Sequence, residues 1–382
     1  MTSDVPIRYL SKDSLARRTL LPNDIIIETA GGAPGRPTGR TVLVTDRLYK
    51  ASDLPLTCAS FCRFLRINHS IAEPAYVFWY LQYLYAKGEM WTHQVQHTGV
   101  ARFQYIRFAN SIEIPLPPVP VQRAIAHFLG AIDEKIALNH LTSKTLEEMG
   151  NAIFKHWLID LEFPNEEGKP YRSSGGEMRF SEELSREIPA GWEAKPIDEI
   201  ANFLNGLALQ NYPPENDTDF LPVIKIRELR HGVSRSSDRA RPNIPNEYIV
   251  DNGDVLFSWS GSLEAAIWAS GKGALNQHLF KVTSTAFPKW FYYYWILHHL
   301  PEYRRIAEGK ATTMGHIQRH HLKSSLVLVP DDATLQRMDK MQAPIIDKLI
   351  QTGVESRGLS RIRDMLLLKL MSGKIRVPVG VG

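Results

Sequence analysis

Asn23-Asp24-Ile25-Ile26-Ile27 and Gly253-Asp254-Val255-Leu256-Phe257 are one turn-and-strand phrase written in both halves of a 382-residue chain. A Pro-led aromatic stretch follows each: Pro74-Ala75-Tyr76-Val77-Phe78-Trp79-Tyr80-Leu81 in the first half, Pro288-Lys289-Trp290-Phe291-Tyr292-Tyr293-Tyr294-Trp295 in the second. Each copy then reaches a Pro-flanked hydrophobic run predicted as a strand, residues 112–118 or 326–330. A Gln-Arg step (Gln122-Arg123, Gln336-Arg337) next opens a long helical pattern. A repeat of about 20 to 50 residues indicates a solenoid, whereas a unit of well over roughly 100 residues indicates duplicated domains.

Composition frames this reading. With 43% hydrophobic residues the chain supports two ordinary cores. No stretch approaches the roughly 20 continuous apolar residues of a membrane span, and the N-terminus lacks the pattern of an export signal, so a cytoplasmic protein is expected. The two cysteines, Cys58 and Cys62, supply neither a disulfide framework nor a four-ligand zinc site. Net charge is only +4, but Lys225, Arg227, Arg230, Arg235, Arg239 and Arg241 face only Glu228 and Asp238 within their run. Such a local excess suits phosphate oxygens, or else is a solvated loop. Arg36, Arg40, Arg102 and Arg107 are basic positions of the first half, beside Gly, Pro or aromatic residues.

The predicted architecture is α+β: two modules joined by a pair of long antiparallel, coiled-coil-like helices. Residues 1–119 mix short strands (24–28, 40–44, 61–67) with a helix over 75–87. In the first helical arm, 120–162, Pro120 suits the first turn, and Ile125, Leu129, Ile132 and Ile136 recur at coiled-coil spacing. Leu146, Met149, Ile153 and Trp157 continue the stripe after a polar interruption at 139–143. Such a helix would extend about 60 Å. The second arm, 333–376, carries Met338, Met341, Ile345 and Leu349, then Leu359, Ile362, Leu366 and Leu370, with Pro344, Gly353 and Gly358 expected to bend or weaken it. Each arm must bury one face; the economical partner is the other arm, the alternative being its own module. Residues 163–188, rich in Glu, Gly, Ser and Arg, read as a flexible linker. The second module, 189–332, opens at Pro189-Ala190-Gly191-Trp192, followed by Ile197, Ile200 and Phe203 at helix-like spacing.

The run Ile114-Pro115-Leu116-Pro117-Pro118-Val119-Pro120-Val121-Gln122-Arg123-Ala124-Ile125-Ala126, with Leu129, Ile132-Asp133 and Lys135-Ile136, resembles the helix entry of specificity subunits of type I restriction-modification systems. Pro189-Ala190-Gly191-Trp192 resembles the opening of their target-recognition domains, and Gly253-Asp254-Val255-Leu256-Phe257-Ser258 their central strand. Thr98-Gly99-Val100-Ala101-Arg102-Phe103-Gln104 resembles the loop before the conserved strand. The resemblance covers nearly the whole chain. It implies two target-recognition domains that each read half of a split asymmetric site in double-stranded DNA, held apart by two antiparallel helices. It also implies no active site and no cofactor in this chain: two methyltransferase subunits would bind S-adenosylmethionine and modify adenine, while restriction subunits use ATP and Mg to translocate and cut.

Base reading needs side chains with paired donors and acceptors, while Arg and Lys on phosphates position the module. Equivalent groove faces recur about every 34 Å. Candidate DNA contacts in the second module are Lys225, Arg227, Arg230, Ser258, Ser260, Lys272, Gln277 and His278; in the first they are Arg36, Arg40, Arg102, Gln104 and Tyr105. One departure stands out: Trp192 precedes Asp254 by 62 residues, but Met1 precedes Asp24 by 23. The first module is expected to lack its twin's opening strand or helix, which puts its half-site in doubt.

Enzymatic readings fail on chemistry. Gly31-Gly32-Ala33-Pro34-Gly35-Arg36 lacks the Gly-Lys-Ser/Thr ending of a phosphate loop. Asn211-Tyr212-Pro213-Pro214 has the composition of an adenine methyltransferase motif in the wrong order, and Asp160 with Glu167-Gly168-Lys169 sits in the linker. Ser258-Trp259-Ser260-Gly261 lacks a nucleophile's strand-turn-helix setting. His298-His299, His316 and His320-His321 read as polar surface or DNA-facing groups rather than metal ligands, since adjacent side chains point apart. Two functions stay open: a non-catalytic DNA-specificity subunit, or a degenerate relative acting as a protein scaffold without sequence selectivity.

Overall fold

A computed structural model describes residues 6–32, 37–50, 52–97, 100–309 and 315–378. The chain divides into two compact units, Met1–Lys135 with Leu359–Gly382, and Ile136–Gly358.

The duplicated phrase builds the same turn in each unit. Asn23 and Gly253 take positive φ values of 70° and 90°, a conformation open to Gly and tolerated by Asn. The aspartate that follows closes the turn: Asp24 accepts the Leu21 N–H at 2.7 Å, and Asp254 accepts the Asp251 N–H at 2.8 Å. A cation from the neighbouring chain segment completes each site, Arg66 at 2.7 Å from Asp24 and Lys281 at 3.0 Å from Asp254. The strands so launched, Ile25–Glu28 and Val255–Ser258, are central and antiparallel to both neighbours. Ile25 stands opposite Leu43 and Leu65, and Val255 opposite Ile267 and Val282, so the two sheets share one register.

In the first unit the sheet runs Thr41–Leu43, Ile25–Glu28, Cys62–Leu65, and a second small sheet joins Ala30–Gly31, Val100–Phe103 and Gln94–His97. Pro74–Lys87 forms the aromatic helix, with Pro in its first turn and Gly88 at φ 83° ending it; Tyr76, Trp79, Tyr80 and Leu84 enter the core with Ile25 and Ile27. In the second unit the sheet carries a fourth strand, in the order Asn202–Asn205, Leu279–Thr283, Val255–Ser258, Ala265–Ile267. The helix Lys289–Glu308 buries Trp290 through Ile296 against it.

Three expectations need correction. Residues 112–118 are extended but unpaired: Pro115, Pro117 and Pro118 offer no N–H, and Tyr76 donates its hydroxyl to the Pro115 carbonyl at 2.9 Å. Its twin Leu326–Val329 is a strand, paired with Glu193–Pro196. The expected linker instead carries a hairpin, Met178–Ser181 with Arg186–Pro189, and buried Phe163 stacks between Tyr171 and Trp192 at centroid distances of 4.5 and 4.6 Å. The Ile197/Ile200/Phe203 spacing splits into a single helical turn, Ile197–Ile200, and a strand bearing Phe203.

The arms are unbroken helices, Val119–Phe154 of 36 residues and Asp332–Met371 of 40. Pro120 lies in the first turn of one; Pro344, Gly353 and Gly358 do not interrupt the other. Within each unit a stretch of one helix pairs with a stretch of the other. In the first unit Ile125 and Leu129 are buried with Leu367, Leu370 and Met371, and Arg363 ion-pairs with Asp133 at 2.5 Å. In the second, Asn139 donates its amide to the Glu355 carboxylate at 2.9 Å, and Gln342 donates to the Gly150 carbonyl at 3.0 Å, an antiparallel order. The polar interruption at 139–143 is therefore no break, since Asn139 sits inside the seam. Ile136, Ile345 and Leu349 are buried, while Ile132, Leu146, Ile153, Leu359 and Leu366 are half-buried. Met341 and Ile362, expected in the packing, are 49% and 45% exposed. Met338 of the same stripe is buried as expected, and the further buried positions are polar, Gln342, Thr352 and Ser356; the Thr352 and Ser356 hydroxyls donate to carbonyls four residues earlier, so they need no cross-helix partner.

Gly150 is a notch in the first helix: a Cβ there would lie 1.8 Å from the Tyr294 hydroxyl. Gly150→Ala is expected to destabilise the protein by about 1–3 kcal/mol through overpacking. Tyr294→Phe should recover part of that loss in a double-mutant denaturation cycle.

Candidate nucleic-acid interface

The basic run of the second unit is largely neutralised by its own fold. Lys225 pairs with Asp238, whose carboxyl it holds below the usual range. Arg227 reaches Glu228 at 2.7 Å, Arg230 donates to Glu264 at 2.6 Å, and Arg239 meets Asp217 at 3.1 Å. Arg241 lies over the Tyr212 ring at 5.0 Å, so the Asn211-Tyr212-Pro213-Pro214 stretch is a packing surface. Glu228 is the organiser. Buried at the start of the short helix Ile226–His231, it accepts from the Lys225 backbone N–H, the Ser237 hydroxyl at 2.9 Å and Arg227. Arg235 and Lys272 stay exposed and form no ion pair among the described residues, which leaves them as the available phosphate partners. The expected six-cation patch thus shrinks, because Asp238 and Glu228 inside the run pair with Lys225 and Arg227, and Glu264 and Asp217 from outside it pair with Arg230 and Arg239.

Neutral hydrogen-bonding groups gather at one end of the four-stranded sheet. Val255–Ser258 and Leu279–Thr283 pair with Ser258 opposite Leu279, which sets the chain after one strand beside the chain before the other. Ser260 and the His278 Nδ1 lie 2.8 Å apart, Gln277 Nε2 is 3.5 Å from His278 Nε2, and the backbone of His316 forms an isolated antiparallel β-bridge with that of Ser260. Trp259 donates its indole N–H to the Asn205 side chain at 2.7 Å and to the Gln277 carbonyl at 3.1 Å. Ser260, Gln277 and His278, named from sequence, thus come together. His316, read from sequence as polar surface or DNA-facing, lies against Trp259 in the same cluster; Asn205 and Trp259 join unforeseen, and the only sequence sign of Asn205 is its Asn-Gly turn. Beside the cluster lies a depression of about 600 Å³ whose lining includes Arg230, Glu264, Arg304 and Glu308, two charges of each sign.

Ser258 has a different role. It is fully buried; its hydroxyl donates to the Ser262 carbonyl at 2.8 Å and accepts the Glu264 N–H at 2.7 Å, closing the loop after the central strand. It cannot reach a groove from there.

In the first unit Arg36, and the Thr98-Gly99 part of the loop, lie outside the described residues, as does most of the 31–36 glycine run. Arg40 is clamped by Glu28 through two hydrogen bonds, 2.9 and 2.5 Å long, which raise its pKa. Arg102 is exposed on Val100–Phe103, Gln104 is exposed and accepts from Arg107 at 3.3 Å, and Tyr105 lies under Arg63 at 5.1 Å. No hydrogen bond among the described residues joins Arg40, Arg102 and Gln104 into one cluster.

Among the described residues no group of three His, Cys, Asp or Glu is placed to hold a metal ion, and no helix is long and apolar enough to cross a membrane. His299, expected at the surface, is half-buried and stacks on the buried Trp295; loss of solvation and the neighbouring His298 push its pKa down to about 4, so it is neutral at physiological pH. Cys58 and Cys62 are free and half-buried, and burial pushes both thiols up, away from reactivity.

Duplicated Asp-turn sheets, each with its own stretch of the antiparallel helix pair, define a two-domain recognition protein. The chain belongs to the type I restriction modification DNA specificity domain family, whose model matches residues 19–148 and 189–359. It is 27% identical over 313 residues to the type I restriction enzyme MjaIX specificity subunit of Methanocaldococcus jannaschii, spanning 78% of this chain and 69% of that protein. It is also 27% identical over 196 residues to the EcoBI specificity subunit of Escherichia coli, across 49% of this chain and 40% of that one. In fold it is similar to the crystal structure of a type I restriction-modification S subunit from M. genitalium, with a TM-score of 0.52 at 16% identity over 92% of this chain and 84% of that one.

Ser258→Ala is expected to cost about 1–3 kcal/mol, because it strands the Glu264 N–H. Chemical denaturation checks this; unchanged stability with altered DNA preference would return Ser258 to the groove.

Proposed function

We propose that this chain is the DNA sequence-recognition subunit of a type I restriction-modification enzyme, reading a bipartite asymmetric target and leaving chemistry to partner subunits. The observation that carries the reading is the duplication of one architecture: the same Asp turn, the same strand register and the same aromatic helix in two units, each including its own stretch of the helix pair. A single site needs one such unit, whereas a split target needs two. The relatives are named as specificity subunits of type I restriction enzymes, which supports the same role here.

In this reading the recognition domains span 1–119 and 189–332, and the helical arms span 120–162 and 333–376. The neutral cluster of Asn205, Trp259, Ser260, Gln277, His278 and His316 meets base edges in the second half-site. Arg235 and Lys272 there, and Arg102 with Gln104 in the first unit, meet the backbone. Two methyltransferase subunits that bind S-adenosylmethionine, and restriction subunits that use ATP and Mg, assemble on it in the cytoplasm.

Co-expression with a cognate methyltransferase subunit, followed by mapping of modified adenines across a bacterial genome, tests this. Modification confined to one split motif is expected. Stable assembly with modification at no defined motif would instead establish a scaffold without sequence selectivity.

A further inference from the structure

Matching hydrogen bonds locate, in the first unit, the place that holds the neutral cluster in the second. Just past the central strand the Trp259 N–H donates to the His278 carbonyl at 3.3 Å, and the Thr29 N–H to the Phe61 carbonyl at 2.7 Å. On the other side the Ile317 N–H reaches the Trp259 carbonyl and the Phe103 N–H the Thr29 carbonyl, both at 2.9 Å. Ser260 is bridged to His316, and Ala30 stands opposite Arg102. Thr29, Ala30, Phe61 and Arg102 therefore occupy the places of Trp259, Ser260, His278 and His316. In the second unit Asn202–Asn205 makes its last ladder pair with Phe280, two residues short of His278, so this place lies past the flanking strand.

The frame is shared, but the chemistry mounted on it is not. Where the second unit presents His278, Ser260 and His316, the first has few polar groups to offer. The Thr29 hydroxyl is already spent on the Phe61 carbonyl at 2.9 Å, and Ala30 carries no polar side chain. Phe61 presents an apolar ring that is 53% exposed. Single exposed apolar side chains are ordinary on protein surfaces; what distinguishes Phe61 is its position. Arg102 is exposed and forms no ion pair among the described residues.

We propose that Phe61 reads a thymine of the first half-site through its C5-methyl group, with Ala30, whose N–H donates to the Phe61 carbonyl at 3.2 Å, as its neighbour. In the major groove that methyl is the apolar feature of the base edges, and an aromatic ring is among the side chains that contact it. A reader without free donors or acceptors selects it, whereas Ser260, Gln277 and His278 select hydrogen-bonding edges. Two units with one frame thus read unlike half-sites. Arg102, at the place of His316, keeps its contact with the backbone and holds the module so that the ring meets the base. This inference rests on the DNA-recognition reading and adds to it the base that the first unit selects.

The test uses the full-length protein with its cognate methyltransferase subunit, as wild type and as Phe61→Ala, Phe61→His and Gln277→Ala. Modified adenines are mapped across a bacterial genome. One half-site of the wild-type motif is expected to hold a thymine that Phe61→Ala relaxes to any base, while Gln277→Ala relaxes a position in the other half. A duplex with deoxyuridine at that thymine lacks only the methyl group. The wild type should bind it about fourfold more weakly than the thymine duplex, the loss expected for one buried methyl. Phe61→Ala should bind the two duplexes alike, and so should Phe61→His, which installs the residue of the second unit. Because the ring is exposed, both Phe61 variants are expected to keep the wild-type thermal transition. A motif that Phe61→Ala leaves unchanged would overturn the proposal. So would a relaxed position that is not thymine, relaxation in the same half as Gln277→Ala, or equal wild-type binding to the two duplexes. If the wild type modifies no split motif, the functional reading fails and this inference with it, which distinguishes the two failures.

Discussion

Asn139 holding the Glu355 carboxylate inside the helix pair is the contact around which the arms of this protein make sense. Helices of 36 and 40 residues, apolar along one side only, cannot stay monomeric in water with that side bare. Pairing buries it, but an apolar seam alone tolerates slippage by a turn. A buried amide that must find a carboxylate, a Gly150 carbonyl that must find Gln342, and a notch at Gly150 filled by Tyr294 admit one register. Leaving either buried group unpaired costs about 1–3 kcal/mol, comparable to the gain from any single leucine in the seam.

The second recurring device is the aspartate turn. A carboxylate that caps the turn and meets a cation from the adjoining segment ties two neighbours to the central strand before any core residue is placed. Because the device is local, it survives between units whose loops and strand numbers differ. Side chains at the sheet ends, where Ser260, Gln277 and His278 converge, are then free to vary without disturbing the strands that carry them.

These features differ in how far they can be read from residues. The turn is legible because Asn or Gly before Asp, ahead of a β-branched or aromatic run, has few other readings. The arms are legible from their apolar spacing, although Met341 and Ile362 show its limit: the buried seam uses Gln342, Thr352 and Ser356, which a search for apolar side chains passes over. The helix breakers mislead because tertiary pairing outweighs the propensities of Pro344, Gly353 and Gly358. Charge is the least legible. Arg230 and Arg239 look free in sequence, and only the fold brings Glu264 and Asp217 to them. Ser258 deceives in the opposite sense, since a serine ending a strand looks exposed until the loop through Ser262 and Glu264 closes over it.

If the proposed function holds, the length of the paired helices sets the distance between the half-sites. Inserting four residues into each long helix at facing positions adds about 6 Å of rise. Adenine-modification mapping with this variant should return the same two half-sites separated by a longer unspecified spacer. A target whose half-sites change while the spacer stays fixed would contradict the account.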